Sequence, residues 1–221
     1  MSMATEAQPR LPLTRERILQ AALEVADEQG IESVTMRKLG QLLGFEAMSL
    51  YNHVSNKNDV LDGILDLVLA ETEPPSPEED WVAAIRHSAC SVHAALRRHP
   101  WAAPLLMSPS HVRPARLHQM NALLEQLREA GFSAETTYHA YHALDGHICG
   151  FSLWEASHTY TAEEVSGFRE KFAEIIRRDD YPYLFDHGEQ HFAEGPHRKV
   201  SAFEFGLDLI LEGLKKIHPD A

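Results

Sequence analysis

The sequence predicts an all-α protein, with a small N-terminal three-helix unit followed by a larger C-terminal helical bundle. Three observations carry this. Apolar residues recur at spacings of three and four along most of the 221 residues, the period of one helix face. Pro and Gly fall mostly between those periodic segments, where they end helices. No stretch alternates apolar and polar residues as a half-buried strand does. Hydrophobic residues make up 44% of the chain, enough for a sizeable core shared between a small and a larger domain. The expected division is 1–12 as a disordered arm, 13–60 as the first domain and 61–221 as the second.

The first helix is expected from Arg15 to Gln29, with Ile18, Leu19, Ala22, Val25 and Ala26 on its apolar face. Thr14 supplies an N-cap oxygen, Glu16 suits the positive end of the helix, and Gly30 stops it. Thr35 caps a second helix whose stripe is Met36, Leu39, Leu42 and Leu43, and Gly44 ends it. A third helix is expected over about 46–53. A fourth begins near Asn58, with Val60, Leu61, Ile64, Leu65 and Val68 as its apolar side. Three short helices separated by tight turns make the pattern of a helix-turn-helix module. The proline-rich run 73–80 then forbids helix. Longer helices are expected over 81–98, 114–130, 134–157, 162–178 and 198–217, with 179–197 as an irregular excursion.

Two cysteines, Cys90 and Cys149, give no disulfide framework and suit a reducing cytoplasm. No run of 18 apolar residues spans a membrane, and residues 1–9 lack the basic-then-apolar pattern of a signal peptide. The net charge of -13 opposes binding to a polyanion when taken whole. It is uneven, however: residues 1–60 hold six Lys or Arg against eight Asp or Glu, and the remainder 14 against 25. A nearly neutral head can still meet DNA if its cations face one way.

The segment from Thr35 to Lys57 is the most informative. Gly40 is small where two helices cross, and Gly44 allows the positive φ of a tight turn. Leu50 and Val54 anchor the third helix, so Ala47, Met48, Ser49, Tyr51, Asn52 and His53 project outward. Ser and Asn can hydrogen-bond base edges, and Met or Ala can touch a thymine methyl. Tyr51 and His53 can reach phosphates, while Arg37 and Lys57 flank the helix as cations.

With those residues in view, positions 13–65 resemble the DNA-binding domain of the TetR family, through T-x-R-K-L-x-Q-x-L-G, L-Y-x-H-V and the following N-K. The resemblance implies contacts to double-stranded operator DNA by Arg37, Ala47, Met48, Ser49, Tyr51, Asn52, His53 and Lys57. It continues through Gly131-Phe132-Ser133, Gly146-His147 and Phe205-Gly206-Leu207, which look like the C-terminal domain of the tetracycline-repressor subclass. Within that subclass Ala47 and Met48 replace Gln and Pro, so a different operator is implied.

Val200, Phe203, Leu207, Ile210, Leu214 and Ile217 form a seam-like stripe, with Phe205 and Leu209 as a second apolar side. Gly206 and Gly213 allow close approach. Tyr141, Leu144, Ile148, Phe151 and Trp154 leave the 134–157 helix apolar nearly all round. Two such helices per subunit suit a homodimer, and its interface is assigned to Ile148, Phe151, Phe203, Leu207, Ile210 and Leu214.

A ligand pocket is expected between the helices that begin at Trp81, Pro114 and Ala134. Its candidate lining is His87, Ser88, Val92, Leu105, Met107, Tyr138, His142 and Trp154. The resemblance places Met107 where the subclass has a metal-holding histidine, with Glu155 at the partner glutamate. Methionine is a poor ligand for a hard cation, so an apolar or aromatic small-molecule effector is expected rather than a tetracycline–magnesium complex.

Glu135, His139 and His142, and His187, His191 and His197, have spacings that can hold zinc. Solvent-facing or core histidine is the simpler reading, and no metal site or cofactor is assigned. No catalytic residue is expected, because no nucleophile–base pair or metal motif has strong spacing and no Gly-rich phosphate loop is present. The sequence therefore points to a cytoplasmic repressor that a small molecule releases from a palindromic operator. Two other readings stay open: a regulator of the same fold that activates or has no effector, and a His-rich helical metalloenzyme.

Overall fold

The computed structural model describes residues 12–108, 114–158, 162–192 and 201–219. The arm expected over 1–12 lies outside these residues except for its last position, as do Val200 and His197. Among the described residues the protein has eleven α-helices, one short 3-10 turn at Ile31–Ser33 and no strand.

The head comprises α1 (Arg15–Gln29), α2 (Met36–Leu43) and α3 (Ala47–Leu50). Helix α4 (Lys57–Ala70) joins it to the body. The capping residues do what their chemistry suggests. Thr14, Thr35 and Asn56 each accept a backbone N–H three residues on, and Gly30 and Gly44 close α1 and α2. Helix α4 runs unbroken through the 60/61 division and packs on α1 in the head and on α5, α6 and α7 in the body. One continuous apolar core results, running from Ile18, Leu39 and Leu50 through Ile64 and Val68 to Ile85, Leu144 and Leu207.

The body consists of α5 (Trp81–Arg98), α6 (Ala102–Leu106), α7 (Pro114–Glu129), α8 (Ala134–Ser157), α9 (Ala162–Ile175), α10 (Pro182–Phe192) and α11 (Ala202–Lys216). Helix α8 is the centre, with α5, α6, α7 and α11 packed on it. Asp80, Ser133 and Ser201 cap α5, α8 and α11, the last as a reciprocal capping box with Glu204.

Four expectations change. The third helix is shorter than 46–53, and Tyr51–His53 turn out of it with tightened bonds from Asn52 N–H to the Ser49 carbonyl and from His53 N–H to the Leu50 carbonyl. The short α6 was not anticipated, because five residues carry too little periodicity. Helix α10 stands where an irregular excursion is expected; Pro182 sits at its first position, where a missing N–H costs nothing. Helix α9 ends at Ile175, three residues early.

Candidate nucleic-acid interface and effector cavity

The head is built around two glycines. A Cβ on Gly40 would stand 2.8 Å from the Phe45 carbonyl oxygen and 3.1 Å from Ala47 N. Only glycine lets α2 press on the turn that launches α3. Gly44 has φ 75°, a left-handed conformation that closes α2. Leu50 and Val54 are buried and hold α3 to the core.

The opposite face is open. Met48 is 74% exposed, and Tyr51, Asn52, His53 and Arg37 are exposed beside it, with Ala47, Ser49 and Lys57 half-buried. Leu42 also points outward rather than into the stripe it extends. Among the described residues Arg37, Tyr51, Asn52 and Lys57 have no side-chain hydrogen-bond partner. Their donors are unspent and point toward solvent. The start of α4 is fixed beside this face: Arg15 donates to both oxygens of Asp59 at 3.0 and 2.7 Å, and Asp59 also accepts the Ser55 N–H at 2.8 Å.

In the body, a cavity of about 30 Å³ lies between α5, α7 and α8. Of the expected lining residues, Ser88 and Val92 are there. The others are not. His87 is exposed and sits 2.9 Å from Glu73. Leu105 packs on the core from α6, and Met107 is exposed at its end. Tyr138 and His142 lean on each other on the outer face of α8. Trp154 borders a wider surface depression of about 500 Å³ with His93, Arg97 and Phe151. The cause is register. The inward face of α8 near the cavity is Tyr141, Asp145 and Ile148, one position off the face that carries Tyr138 and His142.

The polar floor of the cavity is what sequence reading missed. Arg116 Nη2 donates to Asp145 Oδ1 at 2.5 Å, and Nη1 donates to Gln119 Oε1 at 3.0 Å. Gln119 Nε2 donates to Thr72 Oγ1 at 3.2 Å, and Thr72 donates to the Leu69 carbonyl in the last turn of α4. A chain of hydrogen bonds thus leads from the cavity to the helix that carries the head. Burial opposes the charge on Arg116, but Asp145 outweighs it and raises the guanidinium pKa. Burial, with Asp145 adding to it, pushes Tyr141 up to about 12, and burial chiefly pushes Cys149 up to about 11. One signal was available: Asp145 falls among Tyr141, Leu144 and Ile148, and a carboxylate on an apolar face needs a buried partner.

The residues expected at the dimer interface fall on two differently buried sides of the body. Phe203, Leu207, Leu214 and Ile148 are buried within the chain's own core. Phe151 and Ile210 are half-buried at its margin. The side of α11 left open is the second one, with Phe205 62%, Leu209 60% and Ile217 60% exposed. Two apolar sides on one helix were legible, but which of them met the chain's own core was not. Gly206 does allow close approach, because a Cβ there would meet the His147 ring at 2.5 Å, whereas Gly213 faces open space.

Among the described residues no group of three His, Cys, Asp or Glu is placed to hold a metal ion. His142 Nδ1 lies 2.8 Å from the Tyr138 carbonyl, apart from any such set. The side chains of His191 and His197 lie outside the described residues. Glu155 is engaged by Arg97 and His93.

The description "Bacterial regulatory proteins, tetR family" matches residues 18–64, and "Tetracyclin repressor-like, C-terminal domain" matches residues 73–218. The chain belongs to the TetR family. The chain is 30% identical to the HTH-type transcriptional repressor DrrR1 of Streptomyces coeruleorubidus over 218 residues, covering 94% of this chain and 79% of the relative. It is 32% identical to the class D tetracycline repressor protein of Escherichia coli, covering 90% and 93%. Among solved structures, the Streptomyces coelicolor TetR family protein ActR in complex with actinorhodin superposes with a TM-score of 0.77, 26% identity and coverage of 94% and 98%. As a TetR-family member the chain is a transcriptional regulator and not an enzyme. No helix among the described residues is long and apolar enough to cross a membrane.

Proposed function

We propose that this chain is a cytoplasmic repressor that holds a palindromic operator as a homodimer and lets go when a small molecule enters the narrow cavity between α5, α7 and α8 and spreads its walls. One observation carries the reading: unspent donors and cations of Arg37, Tyr51, Asn52 and Lys57 surround the exposed Met48 on a head whose core is otherwise complete. Ala47, Ser49 and His53 complete the surface that enters the major groove. Met48 and Ala47 suit thymine methyls, and Ser49 and Asn52 suit base edges.

The second copy covers Phe205 and Leu209, together with the outer side of α8. Two heads then meet successive major grooves ~34–36 Å apart. The head, the joining helix and the body act as two domains linked through α4. An effector that favours another tilt of α4 moves the heads out of register. A coupling of only ~1–3 kcal/mol gives a 5- to 150-fold release. ActR bound to actinorhodin supports a ligand site in such a body. The apolar lining of the cavity here supports an apolar or aromatic effector.

The test is a reporter gene placed behind the DNA duplex that the protein selects. Production of the chain silences the reporter, and apolar ring compounds restore it. A reporter that rises when the chain is produced makes the chain an activator. A reporter that no compound of a broad panel restores removes the effector.

A further inference from the structure

The hydrogen-bond capacity of the cavity is lopsided. A guanidinium has five N–H donors. Those of Arg116 reach oxygens on Asp145 and Gln119, and the Cys149 sulfur, a weak acceptor, lies beside it as well. The remaining donors have no oxygen acceptor among the described residues, although the Arg116 side chain is only 11% exposed. Asp145, by contrast, is crowded by Arg116, the Tyr141 hydroxyl and the Cys149 thiol. Gln119 has both ends occupied, by Arg116 and Thr72. The rest of the lining is apolar, chiefly Ile85, Ala89, Val92, Met120 and Leu123. Arg116 lines the cavity, so a guest that carries acceptor oxygens there can form charge-assisted hydrogen bonds with it.

Resting on the effector reading of this cavity, we propose that its occupant is an apolar ring compound whose polar end presents acceptor oxygens, such as a carboxylate, to Arg116. A cationic or donor-ended guest meets a guanidinium and an already occupied Asp145. An acceptor-ended guest takes the free fork of Arg116 and loosens its bond to Gln119. Gln119 in turn holds Thr72 at the end of α4, so the same event reaches the helix that carries the head.

Calorimetric titration of the full chain with three naphthalenes of similar size tests this: 2-naphthoate, 2-methylnaphthalene and 2-naphthylmethylammonium. Naphthoate binds at least about tenfold more tightly than the methyl compound, as one charge-assisted hydrogen bond implies, and the ammonium binds most weakly. Arg116→Met abolishes the naphthoate advantage. Asp145→Asn, which keeps the shape and removes the competing carboxylate, tightens naphthoate binding; it carries the test should Arg116→Met not fold. Equal binding of the three probes, a preference for the ammonium, or weaker naphthoate binding in Asp145→Asn overturns the acceptor rule and leaves the cavity as the effector site. Failure of all three to bind overturns the effector reading of the cavity, and this proposal with it.

Discussion

His99 Nδ1 lies 2.7 Å from Asp27 Oδ1, joining the corner between α5 and α6 to the last turns of α1. The same ring places Nε2 3.2 Å from Glu71 at the end of α4. The Trp101 indole N–H donates to the same Asp27 oxygen at 2.7 Å, and Arg98 donates twice to Glu71. Burial would raise the Glu71 carboxyl, but Arg98 and His99 outweigh it and hold it below the ordinary range. Three parts of the molecule, α1, α4 and the α5–α6 corner, are thereby fixed to one another where the head meets the body.

Asp27→Ala removes the shared acceptor and leaves the Trp101 and His99 donors buried. It lowers stability by about 1–3 kcal/mol, read as a shift in the urea midpoint without a change in slope. The bound head also becomes less responsive to the body, so the ratio of operator affinities with and without effector shrinks.

On the DNA face, Tyr51→Ala and Lys57→Ala each weaken operator binding by about tenfold and leave the dimer intact. Lys57→Ala also lowers the slope of log affinity against log salt by about one, the mark of a lost phosphate contact. Fluorescence anisotropy at several salt concentrations reads both effects.

Gly40→Ala drives a Cβ to 2.8 Å from the Phe45 carbonyl oxygen, a backbone atom that cannot swing aside. The head then loses about 1–3 kcal/mol, the usual cost of overpacking, and the launch of α3 is displaced. Operator binding falls far more than the melting temperature of the whole chain, which calorimetry and anisotropy together separate.

Leu209→Glu and Leu207→Glu distinguish the two sides of α11. Leu209 is 60% exposed and Leu207 fully buried. The first yields a folded monomer by sedimentation. The second unfolds the body, because it buries an unpaired carboxylate.

Burial, reinforced by Arg97 and His147 and only partly opposed by Glu204, pushes His93 from its ordinary 6.5 down to about 4. Ser152 lies 3.0 Å from Nδ1, and Glu155 faces Nε2 at 3.4 Å. The folded state keeps this ring neutral while the unfolded chain protonates it. Stability is therefore intact above pH 6.5 and lost progressively as pH falls from 6.5 toward 4, by about 3 kcal/mol. His93→Gln flattens that part of the stability-against-pH curve measured by urea unfolding.

Much of this was legible before the structure. Thr14, Thr35, Gly30 and Gly44 mark their helices because caps act through local chemistry. The outward set on α3 follows from two anchors, Leu50 and Val54, four residues apart. The cavity was not legible at residue level. Ser88 and Val92 were found because α5 shows one plain apolar face. On α8 nearly every face is apolar, so its register against α7 rests on the Arg116–Asp145 pair, a contact 29 residues apart in the chain. The same holds for α11, which has two apolar sides, and only packing decides which is inner.

The central claim is that a dimer of this chain reads palindromic DNA. Selection of bound duplexes from a random pool, followed by sequencing, tests it most directly. A palindrome whose half-sites lie about one helical turn apart is the expected outcome. No enrichment from protein that has been unfolded, dialysed free of small molecules and refolded would contradict it.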